Sequence, residues 1–168
     1  MTMTAKFVRV YQRLSLGLNQ AVEGVLFALG LTMAIIVCTQ VFFRYVVNDS
    51  LFWSEEAARY LLVWLTFLGA TSAYYRGVHP KIESLAKLAP PKVRLAARVL
   101  VHFISLALFA VLIVYGVKFS YFVRLQISPA LNIPKWTVTA VIPVSGVIFC
   151  IHNLRLLLEE FTGGAGDR

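Results

Sequence analysis

Four stretches of this chain contain no Asp, Glu, Lys or Arg: residues 24–43, 60–75, 99–117 and 136–154. About 20 apolar residues at 1.5 Å rise cross a hydrocarbon core of roughly 30 Å. A soluble helix bundle needs a charged stripe along each helix, and none of these four carries one. The overall balance agrees, with 59% hydrophobic and 14% charged residues, far from a soluble globular profile. The expected fold class is therefore all-α: one integral membrane domain with four transmembrane helices, at roughly residues 22–46, 51–75, 98–122 and 136–158.

Orientation follows from the basic residues. Of the 16 Lys and Arg, eleven precede the first span, lie between the second and third, or follow the fourth. Arg44, Lys118, Arg124 and Lys135 fall on the other side, and Arg59 lies within the second span. The positive-inside rule then predicts both termini in the cytoplasm. The first apolar stretch is too long for a cleaved signal peptide and lacks a small-x-small site.

Two interfacial helices are expected beside the spans. Within residues 6–19, Phe7, Val10, Tyr11, Leu14 and Leu18 share one helical face, while Arg9, Gln12 and Arg13 sit off it. That pattern predicts an amphipathic helix lying on the inner leaflet. Residues 80–95 predict a second one, with Ile82, Leu85 and Leu88 together and Pro90-Pro91 as a corner. Its lysines and arginines would meet anionic head groups of the bilayer. Cys38 and Cys150 fall in the first and fourth spans at depths roughly 9 Å apart, beyond the ~7 Å Cα limit for a disulfide, and read as packing residues.

The second span opens on an unusual run, Trp53-Ser54-Glu55-Glu56-Ala57-Ala58-Arg59-Tyr60. A charge at the centre of a spanning helix costs about 2.5–3.5 kcal/mol on insertion scales, so three within five residues need partners or an interface. Arg59 is i+4 from Glu55 and i+3 from Glu56, and either pair can close within the helix. Ser54 is the expected N-cap and Trp53 an interfacial anchor, matched by Trp136 before the fourth span. One arginine neutralises one glutamate, which leaves the second carboxylate to a basic residue elsewhere, Arg44 or Lys135, or to another subunit.

The residues at mid-depth are Leu, Val, Ile, Phe and Ala, with Thr66, Thr71 and Ser105 as mild exceptions. Carriers place polar groups near the midplane, often on broken helices, so a stand-alone transporter is disfavoured. Pro143 is expected to free the Thr139 carbonyl and kink the fourth span. Gly30-x-x-x-Ala34 and Gly69-x-x-x-Ala73 offer small faces for close helix contact, either within the chain or with a partner.

Several motifs occur in a recognisable order. Phe42-x-Arg44-Tyr45-x-x-Asn48 precedes Trp53-Ser54-Glu55-Glu56-x-x-Arg59-Tyr60 and Trp64-x-x-Phe67-Leu68-Gly69-Ala70. Arg76-x-x-His79, Ser128-Pro129-Ala130-Leu131-x-Ile133-Pro134-x-Trp136 and Ile142-Pro143 follow. Together they make the chain resemble the small membrane subunit, DctQ type, of tripartite ATP-independent periplasmic (TRAP) transporters. The resemblance implies a bacterial or archaeal inner-membrane protein without catalytic activity or cofactor. Its implied partners are a large permease subunit, which carries the substrate and ion sites, and a periplasmic substrate-binding protein, with no nucleic acid. The chain would be a scaffold in ion-gradient-driven uptake of an organic acid. Arg44, Trp53, Glu55, Glu56, Arg59 and Trp136 would then serve the fold or a subunit or lipid interface.

Two readings compete. His102 and His152 fall near the cytoplasmic ends of the third and fourth spans, where facing imidazoles could hold a haem in a redox-complex anchor. A small homodimeric drug exporter would want a carboxylate at mid-depth in the first span, and Glu23 sits at its edge instead.

Overall fold

The computed structural model describes residues 3–77 and 91–161. Helix α1 (Met3–Phe42) ends in a π-helical turn (Phe43–Val47) and is followed by α2 (Phe52–Tyr75), α3 (Pro91–Phe122), the short α4 (Trp136–Thr139) and α5 (Val141–Phe161). Among the described residues there is no strand, and one isolated bridge pairs Ile127 with Pro134. The all-helical expectation holds.

Three of these segments are long and apolar enough to cross a membrane: residues 10–47, 96–122 and 136–158. Helix α2 falls short of that standard. Its first turns hold Glu55, Glu56 and Arg59, and its last hold Thr71, Ser72, Tyr74 and Tyr75. On length and apolarity the count is therefore three, where four were expected.

The amino-terminal region also differs from expectation. Residues 6–19 do not form a separate interfacial helix, because α1 runs unbroken for 40 residues, about 60 Å at 1.5 Å per residue. No proline interrupts it, and isolated glycines such as Gly17 and Gly24 cost only about 1 kcal/mol each. Small polar residues take much of the inward side of this stretch, beside Leu18. Val10 and Leu14 are exposed, while Ser15, Asn19 and Val22 are buried at i, i+4, i+7 spacing. Of the second expected interfacial helix, residues 78–90 lie outside the described residues. Pro91 stands at the start of α3, where its missing N–H is no loss.

The bundle is organised around α5. Helices α1 and α2 pack as a hairpin, α5 lies against both, and α3 packs chiefly on α5. A core of Val22, Leu68, Val141 and Ile148, flanked by Leu18, Val63, Trp64 and Phe67, joins α1, α2 and α5. Three aromatic rings join α2 to α3 and α5. Phe109 stacks on Phe149 at 4.7 Å, and Tyr74 meets both edge-on at 5.5 and 5.6 Å. The α3–α5 crossing is closed by two glycines. A Cβ on Gly116 would stand 2.9 Å from Ile142 Cγ2 and Pro143 Cδ, and one on Gly146 would stand 2.8 Å from Ile113 Cγ1. A Cβ on Gly30 or Gly69 would meet nothing within 4 Å, so the two small-residue faces expected to make helix contacts do not mark crossings within the chain.

Among the described residues, nine buried ones are polar and seven are apolar, while large apolar side chains cover the outside of α1 and α3. That inversion suits a protein whose solvent is lipid, where small and polar side chains hold helices together. At the expected kink, α4 and α5 are parted by a single residue, Ala140, three residues before Pro143. The turns carry the backbone that their residues suit: Asn48 and Asn132 adopt left-handed φ of 58° and 56°.

Candidate functional site

Polar contacts gather at the two ends of α2, which lie about 27 Å apart along the helix from Glu56 to Tyr74. The first end contains the charged run singled out in the sequence. Helix α2 begins at Phe52 with Leu51 as its N-cap, so Ser54 is not the cap. Ser54 lies a turn further in, fully buried, and its hydroxyl donates to the Leu51 carbonyl at 2.6 Å. The inward position explains the error: the residue type fits a cap, but its side chain is needed under the turn.

The two glutamates divide their work. Glu55 pairs with Arg59 at 3.4 Å, with both side chains more than 70% exposed, so this local pair is a weak tie. Glu56 reaches across the molecule instead. Its Oε1 accepts from the Tyr60 hydroxyl at 2.6 Å, and its Oε2 accepts the backbone N–H groups of Ala130 and Leu131 at 2.9 and 3.2 Å. Charge-assisted bonds of this kind are stronger than neutral ones. Ser128 completes the loop: it is buried, its Oγ accepts from the Leu131 N–H, and its backbone pairs with Ile133 and Asn132. A carboxylate on α2 thus hooks the tight hairpin that leads into α4.

Neither expected basic partner meets Glu56. Lys135 extends to Gln126 Oε1 at 3.4 Å, and Arg44 is exposed on the π-helical turn. Backbone amides and a tyrosine take that role. Trp53 and Trp136, at the starts of α2 and α4, are both partly exposed at this end, as interfacial anchors would be.

The opposite end holds a larger network that the sequence reading did not anticipate. Glu23 Oε1 accepts from Asn19 at 2.7 Å, Ser72 at 3.2 Å and two Arg76 nitrogens at 2.7 and 3.2 Å, clamping α1 to α2. Asn153, buried on α5, binds both neighbours. Its Oδ1 accepts from the Tyr74 hydroxyl at 2.9 Å and lies 2.7 Å from His102 Nδ1, while its Nδ2 donates to the His102 carbonyl at 2.9 Å. His152, also buried, has Nδ1 2.8 Å from Ser15 Oγ and stacks obliquely on Tyr75. The Arg155 guanidinium lies 4.2 Å from the Tyr75 ring centroid and donates to the Tyr75 carbonyl. A signal existed in the sequence, namely Ser15, Asn19 and Glu23 at i, i+4, i+8. It was hidden by the apolar face beside it.

Both histidines of the haem reading hold a hydrogen bond through Nδ1 within the bundle, His102 with Asn153 Oδ1 and His152 with Ser15 Oγ, and these contacts lend the haem reading no support. Cys38 and Cys150 are free.

Residues 33–163 match the family described as "Tripartite ATP-independent periplasmic transporters, DctQ component". The chain is similar to a Haemophilus influenzae protein assigned as a TRAP transporter small permease, 35% identical over 74 residues, which are 44% of this chain and 46% of that one. It is 28% identical over 144 residues to the ectoine TRAP transporter small permease protein of Halomonas elongata, covering 83% and 74% of the two chains. It is also 25% identical over 129 residues to the sialic acid TRAP transporter permease protein of Haemophilus influenzae, covering 77% of this chain and 21% of that protein. The first match thus spans about half the length of its relative and the third about a fifth.

Proposed function

The chain belongs to the DctQ component family of tripartite ATP-independent periplasmic transporters, and from that membership we propose that it is the small permease subunit of an ion-gradient-driven importer of an organic acid. In this reading it crosses a bacterial inner membrane four times with both termini cytoplasmic. It braces a large permease subunit, and a periplasmic binding protein delivers the substrate.

The observation that carries the scaffold role is where the polar groups lie. They collect at the two ends of the helices and are used to tie the helices together. Between the ends, the hydroxyls of Thr32, Thr39, Thr66 and Ser145 bond carbonyls of their own helices, so they line no polar path. Such a body can hold a neighbour in place and offers a solute nothing to bind at mid-depth. The aligned stretch makes up 21% of the sialic acid permease protein, which favours a chain that works against a much larger membrane part. Ectoine, sialic acid and C4-dicarboxylate appear in the names of relatives, and all are carboxylates. Their variety fits a specificity set in other chains.

Reconstitution tests this. In proteoliposomes, uptake of an organic acid should need this chain, the large permease, the binding protein and an imposed ion gradient together. Uptake by this chain alone would overturn the scaffold reading, and so would full uptake without it.

A further inference from the structure

At the same end as the Glu56 hook, an open groove of about 400 Å³ lies between the last turns of α3 and the α4–α5 step. Val117, Ser120 and Tyr121 form one wall, Ala140 and Pro143 line the other beside Trp136, and Arg124 stands on the α3 side. Two of these residues separate the groove from an ordinary apolar surface. The Ser120 hydroxyl is buried and meets no hydrogen-bond partner among the described residues. A helical hydroxyl ordinarily bonds a carbonyl one turn back, as Thr32, Thr39 and Thr66 do here. A buried donor left unmade is costly, so an acceptor is called for in the groove.

The second is Arg124. Its guanidinium lies 3.6 Å from the Tyr121 ring centroid and gives one N–H to the Tyr121 carbonyl at 3.1 Å. A guanidinium carries five donors in a fork suited to phosphate, which leaves most of them available. Ser120 lies in the last turn of α3, and Arg124 stands in the turn just beyond the helix end at Phe122, where both line the groove. Reading inward from the helix end, the groove presents a cation, then a hydroxyl donor, then an apolar wall.

We propose that this groove is a phospholipid site. The phosphate binds Arg124, an ester carbonyl accepts from Ser120, and an acyl chain lies along Val117, Ala140 and Pro143. The order of groups matches the order in a lipid, and the cation supplies the charge complementarity. The proposal rests on α3 and α5 crossing the bilayer and is independent of which substrate the transporter carries.

Native mass spectrometry on the full chain, extracted in mild detergent, tests it. One phospholipid should survive delipidation, and added phosphatidylglycerol should raise the melting temperature while diacylglycerol with the same chains should not. Arg124→Ala should reduce lipid retention about tenfold, the size expected for losing a charge-assisted contact. Ala140→Phe, which fills the groove without altering charge, should do the same. Lys118→Ala should retain lipid, because that ammonium lies over Tyr115 instead. The comparison of the two lipids uses the native chain, so it stands even if a substitution disturbs folding. Absence of retained lipid, equal stabilisation by diacylglycerol, or equal retention by the Arg124 and Lys118 variants would overturn the proposal. So would a photo-crosslinker at position 120 that captures a protein helix in place of lipid.

Discussion

Glu55 and Glu56 are adjacent and identical in type, yet they have different fates. A helix turns about 100° per residue, so neighbours face different surroundings. Glu55 stays with Arg59 in the open, while Glu56 faces the hairpin at Ser128–Leu131. The sequence indicated that one carboxylate would need a partner beyond Arg59. It could not say that backbone amides 74 and 75 positions away would supply it. Glu56→Ala should therefore release the hairpin, raising amide hydrogen exchange at Ala130 and Leu131 at least about tenfold, since each lost bond of this strength exceeds 1.4 kcal/mol. Glu55→Ala should leave those amides protected. Matching protection patterns in the two variants would remove the hook from the account. At the other end, Asn153→Ala removes the bonds to the Tyr74 hydroxyl, to His102 Nδ1 and to the His102 carbonyl together. Denaturation in detergent should register a loss of about 1–3 kcal/mol, the range for losing buried hydrogen bonds. Tyr74→Phe removes only one of those bonds and should cost less.

At the level of the element, the helices were legible and their contact faces were not. Charge-free length located the long helices, three of them apolar enough to span, and Pro143 located the interruption near Ala140. The contact faces were hidden for one physical reason. Lipid accepts apolar side chains, so an apolar face need not pack inward, and the small polar stripe of Ser15 and Asn19 does so instead. The Gly-x-x-x-Ala pairs offer small faces for another helix of the chain or for a partner, whereas within the chain Gly116 and Gly146 mark the crossing singly, each against the opposite helix. Glycine substitutions should separate these cases by sign. Gly116→Ala must push a methyl against the Pro143 ring and backbone nitrogen, which cannot yield as a side-chain tip can. It should destabilise the isolated chain by about 1–3 kcal/mol, typical of overpacking. Gly30→Ala meets open space and gains helix propensity, so it should stabilise by about 0.5–1 kcal/mol. Thermal melts of the two variants in one detergent suffice, and the same sign for both would contradict the crossing described.

For the whole molecule the open matter is whether α2 is a fourth span. Composition does not qualify it, because its charged head and its Ser, Thr and Tyr lower its apolarity. Packing argues the other way. Val63, Trp64, Phe67 and Leu68 of α2 share a core with Val22 of α1 and Val141 and Ile148 of α5, so the three helices lie side by side over the same depth. Thr71 and Ser72 are buried, and their hydroxyls bond Leu68 and Glu23. Thr71 and Ser72 are thus turned inward, which a composition average cannot register, while Glu55 and Arg59 stay exposed in the first turns of the helix. Four spans place both termini on one side, whereas three would place them on opposite sides. Single cysteines, introduced after replacing Cys38 and Cys150 with serine, distinguish the two. With four spans, Ser50→Cys and Asn132→Cys should react with a membrane-impermeant maleimide on intact spheroplasts, and Thr4→Cys and Gly163→Cys should react only after lysis. Labelling of position 163 on intact spheroplasts, with position 4 protected, would place α2 outside the bilayer and remove the bracing geometry proposed for the chain.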